Sequence, residues 1–222
     1  LKIMKQGLLA LIILMILGIF STFSRGAFLG LVVLAFSFWK GSERKILWLV
    51  LMFLIVISIS SLMPEEWLSR MDSVESADED SSFMGRVIAW KVATLIAMDN
   101  FFGGGFRAVE NLNVWWEYSL QFDKLSFIPT ETLPYFKATH SAYFQVLSNH
   151  GFIGLFIFFL VLLSAYIKVT RIVNLAKKRG LDEWVIMLSK MLKLSLIAYC
   201  VAGAAVNVAY FDFLYAIFAM VV

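Results

Sequence analysis

Apolar runs of about 20 residues, separated by short charged turns and one long polar stretch, decide what this chain can fold into. A helix needs roughly 20 apolar residues to cross the hydrocarbon core of a bilayer. The 222-residue sequence supplies five or six such runs, and it is 61% hydrophobic and only 16% charged. Soluble domains carry about 25% charged residues, so an aqueous globular fold is excluded. The pattern implies an all-α membrane protein, a multi-span helical bundle in which the lipid bilayer is the first partner. A net charge of +3 is nearly uninformative beside its distribution, and no nucleic-acid partner is expected.

Residues 1–63 read as three transmembrane helices with short loops: about Gly7–Phe23, Ala27–Trp39 and Ile46–Met63, the last closed by Pro64. Residues 64–150 form the one long loop. Residues 151–222 supply two to three more helices, about Gly151–Ile167, Met191–Tyr210 and a sixth beginning after Asp212. Lys2, Lys5, Lys40, Arg44, Lys45 and the cluster Lys168, Arg171, Lys177, Lys178 and Arg179 all fall on one side if the spans alternate. The positive-inside rule puts that side in the cytoplasm. The long loop then lies outside, which in a bacterial inner (cytoplasmic) membrane means the periplasm. Cys200 is the single cysteine, so the chain forms no internal disulfide. It starts at Leu1 and stops inside an apolar run, and so reads as the carboxy-terminal part of a longer protein.

Within the loop, helical spacing of Val87, Trp90, Thr94 and Ala97 predicts a helix over about 85–98, ended by Gly103-Gly104-Gly105. Residues 106–137 are rich in Trp, Tyr and Phe, a composition that suits a lid in the headgroup layer or a sugar-stacking surface. Residues 141–150 are expected as an amphipathic interfacial helix with Tyr143, Phe144 and Leu147 on its apolar side. The cluster Asp72, Glu75, Asp78, Glu79 and Asp80 lacks the spacing of a calcium loop. It reads as a solvated segment, and no metal site is expected anywhere.

Three side chains on the outer side are chemically suggestive together. Arg25 lies at a span–span turn, where a guanidinium needs an anionic partner. Arg86 opens the predicted helix, where N-terminal amides also favour anions. Guanidinium forks bind phosphate bidentately, so the pair suits the diphosphate of a lipid-linked substrate. His140, where the loop returns to the membrane, is placed to take a proton from an attacking hydroxyl. Taken singly, each has a plainer reading: a headgroup contact for Arg25, a surface ion pair for Arg86, an interfacial residue for His140. His150, just before Gly151, reads as relieving a helix dipole.

The order of the motifs carries a resemblance. Ser24-Arg25-Gly26-Ala27 after one span, Gly85-Arg86 followed by Trp90 and then Gly103-Gly104-Gly105-Phe106, and His140-Ser141 followed after nine residues by Gly151-Phe152-Ile153-Gly154 resemble, in order, the bacterial O-antigen ligase and polymerase superfamily. The stretches Gly103–Phe106 and His140–Phe144 are similar to its exosortase-associated O-glycosylation ligase branch. The resemblance covers residues 20–200 and implies a metal-independent membrane glycosyltransferase that needs no cofactor. Such an enzyme moves a preassembled glycan from undecaprenyl diphosphate to an acceptor hydroxyl on lipid A core, protein or another molecule, at the periplasmic face. By the same resemblance Arg25 and Arg86 hold the diphosphate and His140 activates the glycan acceptor. Trp90, Gly103, Gly105, Ser141, Gly151 and Gly154 are motif positions. Family members carry further amino-terminal spans that enclose the donor lipid.

Two rivals remain at this stage. A repeat-unit polymerase would run the same chemistry with another lipid-linked glycan as acceptor. A transporter of the lipid-linked glycan would place polar residues at span midpoints, for which Lys190, Lys193, Asn207 and Asp212 are the candidates.

Overall fold

A computed structural model describes residues 2–22, 24–46, 48–50, 53, 81–126 and 130–221. Among these residues the chain is helical, with no strand. The expected third span, Ile46–Met63, lies largely outside the described residues, as does the acidic cluster of 72–80. Helix α1 (Lys2–Ser21) is followed by α2 (Arg25–Gly41). Ser24 caps α2, its hydroxyl accepting from the Ala27 amide at 3.3 Å, which satisfies one of the orphan N–H groups of a first turn.

Helix α3 (Ser81–Asp99) and α4 (Leu112–Ser119) belong to the polar stretch. After them come α5 (Ala142–Lys178), α6 (Glu183–Ala202) and α7 (Asp212–Val221). Among the described residues, three helices are long and apolar enough to cross a membrane: Ile3–Ser21, Ala142–Lys178 and Glu183–Ala202. Gly26–Gly41 and Asp212–Val221 are shorter apolar helices. Leu8, Ile12, Leu14 and Leu17 of α1 are exposed, an arrangement that lipid covers at no cost to the backbone, whose polar groups are satisfied within the helix. The chain is a multi-pass membrane protein.

The polar stretch has a core of its own. Ile88, Ala89, Val92, Ala93, Leu95 and Ile96 of α3 are buried with Ala108, Val109, Trp115, Tyr118 and Phe122. Burial thus runs almost round α3 rather than along one stripe. Trp115 is 0% exposed and its indole N–H donates to the Leu133 carbonyl at 3.0 Å, so this aromatic is an anchor of a packed core and not part of a surface lid. Phe106, Trp116, Tyr135 and Phe136 remain exposed.

The expected helix at 142–150 is present, set off from the rest of α5 by non-helical backbone at Gly151, but Ala142, Val146, Leu147, Ser148 and Asn149 are buried, so it packs against the rest of the protein. Two boundaries differ from the sequence expectation. At the other end α5 runs on to Lys178, so Lys168 and Arg171 sit on helix rather than in a connector. Lys and Arg are good helix formers, and charge alone does not stop the helix. Finally, α6 ends at Ala202, eight residues before the expected Tyr210, where Gly203 turns the chain and its amide bonds the Tyr199 carbonyl at 2.7 Å.

Candidate functional site

The site is built on a corner in α5. Gly151 adopts φ 65°, ψ −165° and breaks the helix there, a conformation essentially restricted to glycine. A break at this point removes the amides that Ser148 and Asn149 carbonyls would otherwise meet one turn on. The glycine loop supplies replacements: the Gly104 amide donates to Ser148 at 2.8 Å and the Gly105 amide to Asn149 at 3.1 Å. Approach is so close that a Cβ on Gly103 would lie 2.5 Å from the Asn149 carbonyl carbon and the Gly151 amide. A Cβ on Gly154 would meet the His150 Cβ at 2.1 Å. Gly103 and the pair Gly151 and Gly154, read from sequence in two separate motifs, are therefore parts of one joint. Gly103-Gly104-Gly105 does not end α3, which stops at Asp99.

The backbone preceding α5 is pinned on two sides. Trp90 of α3 donates its indole N–H to the Thr139 carbonyl at 2.6 Å and its ring stacks on Phe144, centroids 4.9 Å apart. From the turn between α6 and α7, the Asn207 Oδ1 accepts from the Thr139 hydroxyl at 2.7 Å and from the Ser141 amide at 3.1 Å. Thr139 and Ser141 are 4% and 1% exposed. Between them His140 is exposed and held at φ 44°, a left-handed conformation uncommon outside glycine. Strain of this kind costs about 1–3 kcal/mol and persists where the surroundings over-determine it. The clamp by Trp90 and Asn207 is that over-determination.

Electrostatics single out the same place. Partial withdrawal from water, then the nearby charges of Arg86 and Lys137, lower the His140 pKa below its ordinary 6.5. The imidazole is therefore neutral, with a lone pair to offer, at neutral pH. Arg86 lies in the second turn of α3, not at its start, so helix-terminal amides do not assist it. Its Nε is buried and has no hydrogen-bond partner among the described residues. A buried guanidinium N–H without a partner is unfavourable by about 1–3 kcal/mol, which an anion placed there would relieve.

Arg25 is the first residue of α2, and its side chain lies outside the described residues. Its neighbour Gly26 packs so tightly on the α6–α7 turn that a Cβ would fall 2.5 Å from the Ala205 Cβ. The start of α2 is thereby set against the turn that carries Asn207. Sequence reasoning missed Thr139, Asn207 and Lys137 as parts of the site. Asn207 had a signal, a lone amide in an apolar run, but was weighed only as a mid-span polar group.

A neutral base fixes the sign of a pH effect. Because burial and neighbouring cations favour the uncharged imidazole, the neutral ring persists below pH 6.5 and is lost only as pH falls through the lowered pKa. We expect kcat/KM for the group's reaction, which reports the free enzyme, to hold down to that point. Arg86→Gln removes one cation, so its acid limb should move to higher pH. A limb that stays in place when pH–rate profiles of the two are compared would separate the histidine from this arginine.

A family model described as O-antigen ligase matches residues 10–159. No curated protein and no solved structure matches the chain. The matched region contains the α2 cap, the Trp90 and glycine-loop contacts, His140 and the Gly151 corner, while Asn207, the other half of the clamp, lies beyond it. The chain belongs to the O-antigen ligase family.

Proposed function

We propose that this protein transfers a preassembled glycan from undecaprenyl diphosphate to an acceptor hydroxyl at the periplasmic face of the bacterial inner membrane. Family membership supports ligase- or polymerase-type activity on lipid-linked glycans in general. The observation that carries the finer reading is the pairing of a lowered-pKa His140 with the unpartnered Arg86 Nε beside it.

In the proposed step the acceptor oxygen attacks the anomeric carbon while its proton passes to a ring nitrogen of His140. The new carbon–oxygen bond forms as the bond to the diphosphate oxygen breaks, and undecaprenyl diphosphate departs with the bonding electrons. Arg86, with Arg25 as its proposed partner, stabilises the charge that grows on the leaving diphosphate. Diphosphate is a good leaving group, so the step calls for no general acid, and no metal or cofactor takes part in it.

Arg86 provides the test. A charge-assisted hydrogen bond contributes about 1.5–3 kcal/mol, so Arg86→Ala should lower kcat/KM for the lipid-linked donor roughly 10- to 100-fold in reconstituted proteoliposomes. Arg86→Lys keeps a point charge but not the planar fork and should fall between. Undiminished transfer by Arg86→Ala would take the arginine out of the site. A transporter is disfavoured by the position of Asn207, which lies in the turn after α6 and spends its carbonyl on the Thr139 hydroxyl and the Ser141 amide that flank His140.

A further inference from the structure

A cavity of about 430 Å³ opens beside the Thr139–Ser141 backbone, and Thr139, Gln145, Asn149, Asn207 and Tyr210 line it, with Phe106 at its mouth. None of Arg86, Lys137 or His140 lines it. Its two charged residues, Arg107 and Glu110, are joined to each other at 2.6 Å, so the cavity presents no net charge to an occupant. That is a poor environment for a diphosphate and a good one for a neutral ligand.

The direction of its amides can be fixed. A backbone N–H only donates, so the oxygen of Gln145 must face the Ala209 amide, 3.2 Å away. By the same logic the oxygen of Asn207 must face the Ser141 amide. Each carboxamide therefore turns its NH₂ the other way. Among the described residues neither NH₂ has a hydrogen-bond partner, and neither is shut away from solvent. The Tyr210 hydroxyl accepts from Asn149 at 2.9 Å, which leaves its own proton to donate. Phe106 is 72% exposed and stands on ring contacts with His150 and Tyr210 at 5.0 and 5.4 Å.

Unspent neutral donors around an open volume, with an aromatic ring at the edge, suit a ligand with many hydroxyls and one apolar face. Pockets of roughly 300–1,000 Å³ hold small ligands, and a few placed polar groups orient them. We propose that this cavity binds a sugar ring of the acceptor and delivers its hydroxyl to His140. This rests on the functional reading above. In-line displacement puts the nucleophile opposite the leaving diphosphate, and the cavity shares Thr139 and Asn207 with the His140 clamp but neither Arg86 nor Lys137. The acceptor hydroxyl is accordingly carried on a carbohydrate rather than on a serine or threonine of a protein.

The test is saturation-transfer NMR on the protein in lipid nanodiscs, with methyl glycosides of glucose, galactose and N-acetylglucosamine as probes. At least one should show ring-proton saturation that falls threefold or more in Phe106→Ala and in Tyr210→Phe. That signal should survive His140→Ala and an excess of undecaprenyl-diphosphate-linked N-acetylglucosamine. No saturation with any glycoside, or saturation unchanged in both cavity variants, overturns the proposal. Displacement by the lipid-linked sugar also overturns it, by giving the cavity to the donor. Because binding is read without turnover, an inactive His140 variant that still binds sugar separates this outcome from failure of the transfer mechanism.

Discussion

His140→Ala is expected to lower glycan transfer by about 10²–10⁴-fold, the usual contribution of a positioned general base. Insertion and melting temperature should change little, because the side chain is exposed and the clamp acts on its neighbours. Alanine at φ 44° retains a strained backbone, so His140→Asn is the cleaner companion. Asparagine tolerates the left-handed region but has no base of suitable strength. Comparable losses in the two variants, measured as initial rates in proteoliposomes, would assign the effect to the missing imidazole. Wild-type rates in His140→Asn would end its assignment as the acceptor-activating base.

Gly151→Ala should be the most damaging substitution for the fold. The new Cβ would lie 2.0 Å from the Phe101 carbonyl oxygen and 2.6 Å from the Gly103 amide. Both are backbone atoms of another segment, so no rotamer change relieves the clash. Backbone strain at about 1–3 kcal/mol and overpacking at about 1–3 kcal/mol both apply, for a loss on the order of 3 kcal/mol or more. Gly180 makes a matched control: its φ is 60°, but nothing lies within 4 Å of an added Cβ. Gly180→Ala should therefore cost about 1 kcal/mol. Thermal unfolding in detergent separates the two. Equal melting of Gly151→Ala and Gly180→Ala would mean that the corner is not the rigid joint described.

The helical, membrane-spanning character was legible because apolar runs and helix length obey the same bilayer thickness. The site was legible in pieces. His140, Arg86, Trp90 and the glycines stood out by residue type, but Trp90 and Thr139 are 49 residues apart, so the bond between them has no local signal. Asn207 was obscured for a related reason. Residues 203–210 are nearly as apolar as the span before them, and hydropathy does not register that Gly203 leaves the helix to meet α5. There the Ala142 amide bonds the Gly203 carbonyl at 2.7 Å. The aromatic stretch misled for the opposite reason: Trp and Tyr favour both the interface and a core, and only the α3 packing distinguishes them.

The corner at Gly151 also divides α5 into two lengths. Beyond it, 27 residues run from Phe152 to Lys178, and at 1.5 Å per residue they extend about 40 Å. A bilayer measured through both headgroup layers is roughly 40–45 Å thick. On the proposed reading the limb is long enough to reach from one headgroup layer to the other, with its basic end, Lys168 to Lys178, toward one surface and the bend toward the opposite one. The turns leading back to His140 sit just above it. The proposed donor would bring its diphosphate to that depth as well, and on that reading helix length would set the working height of the catalyst and make membrane thickness a variable of the reaction.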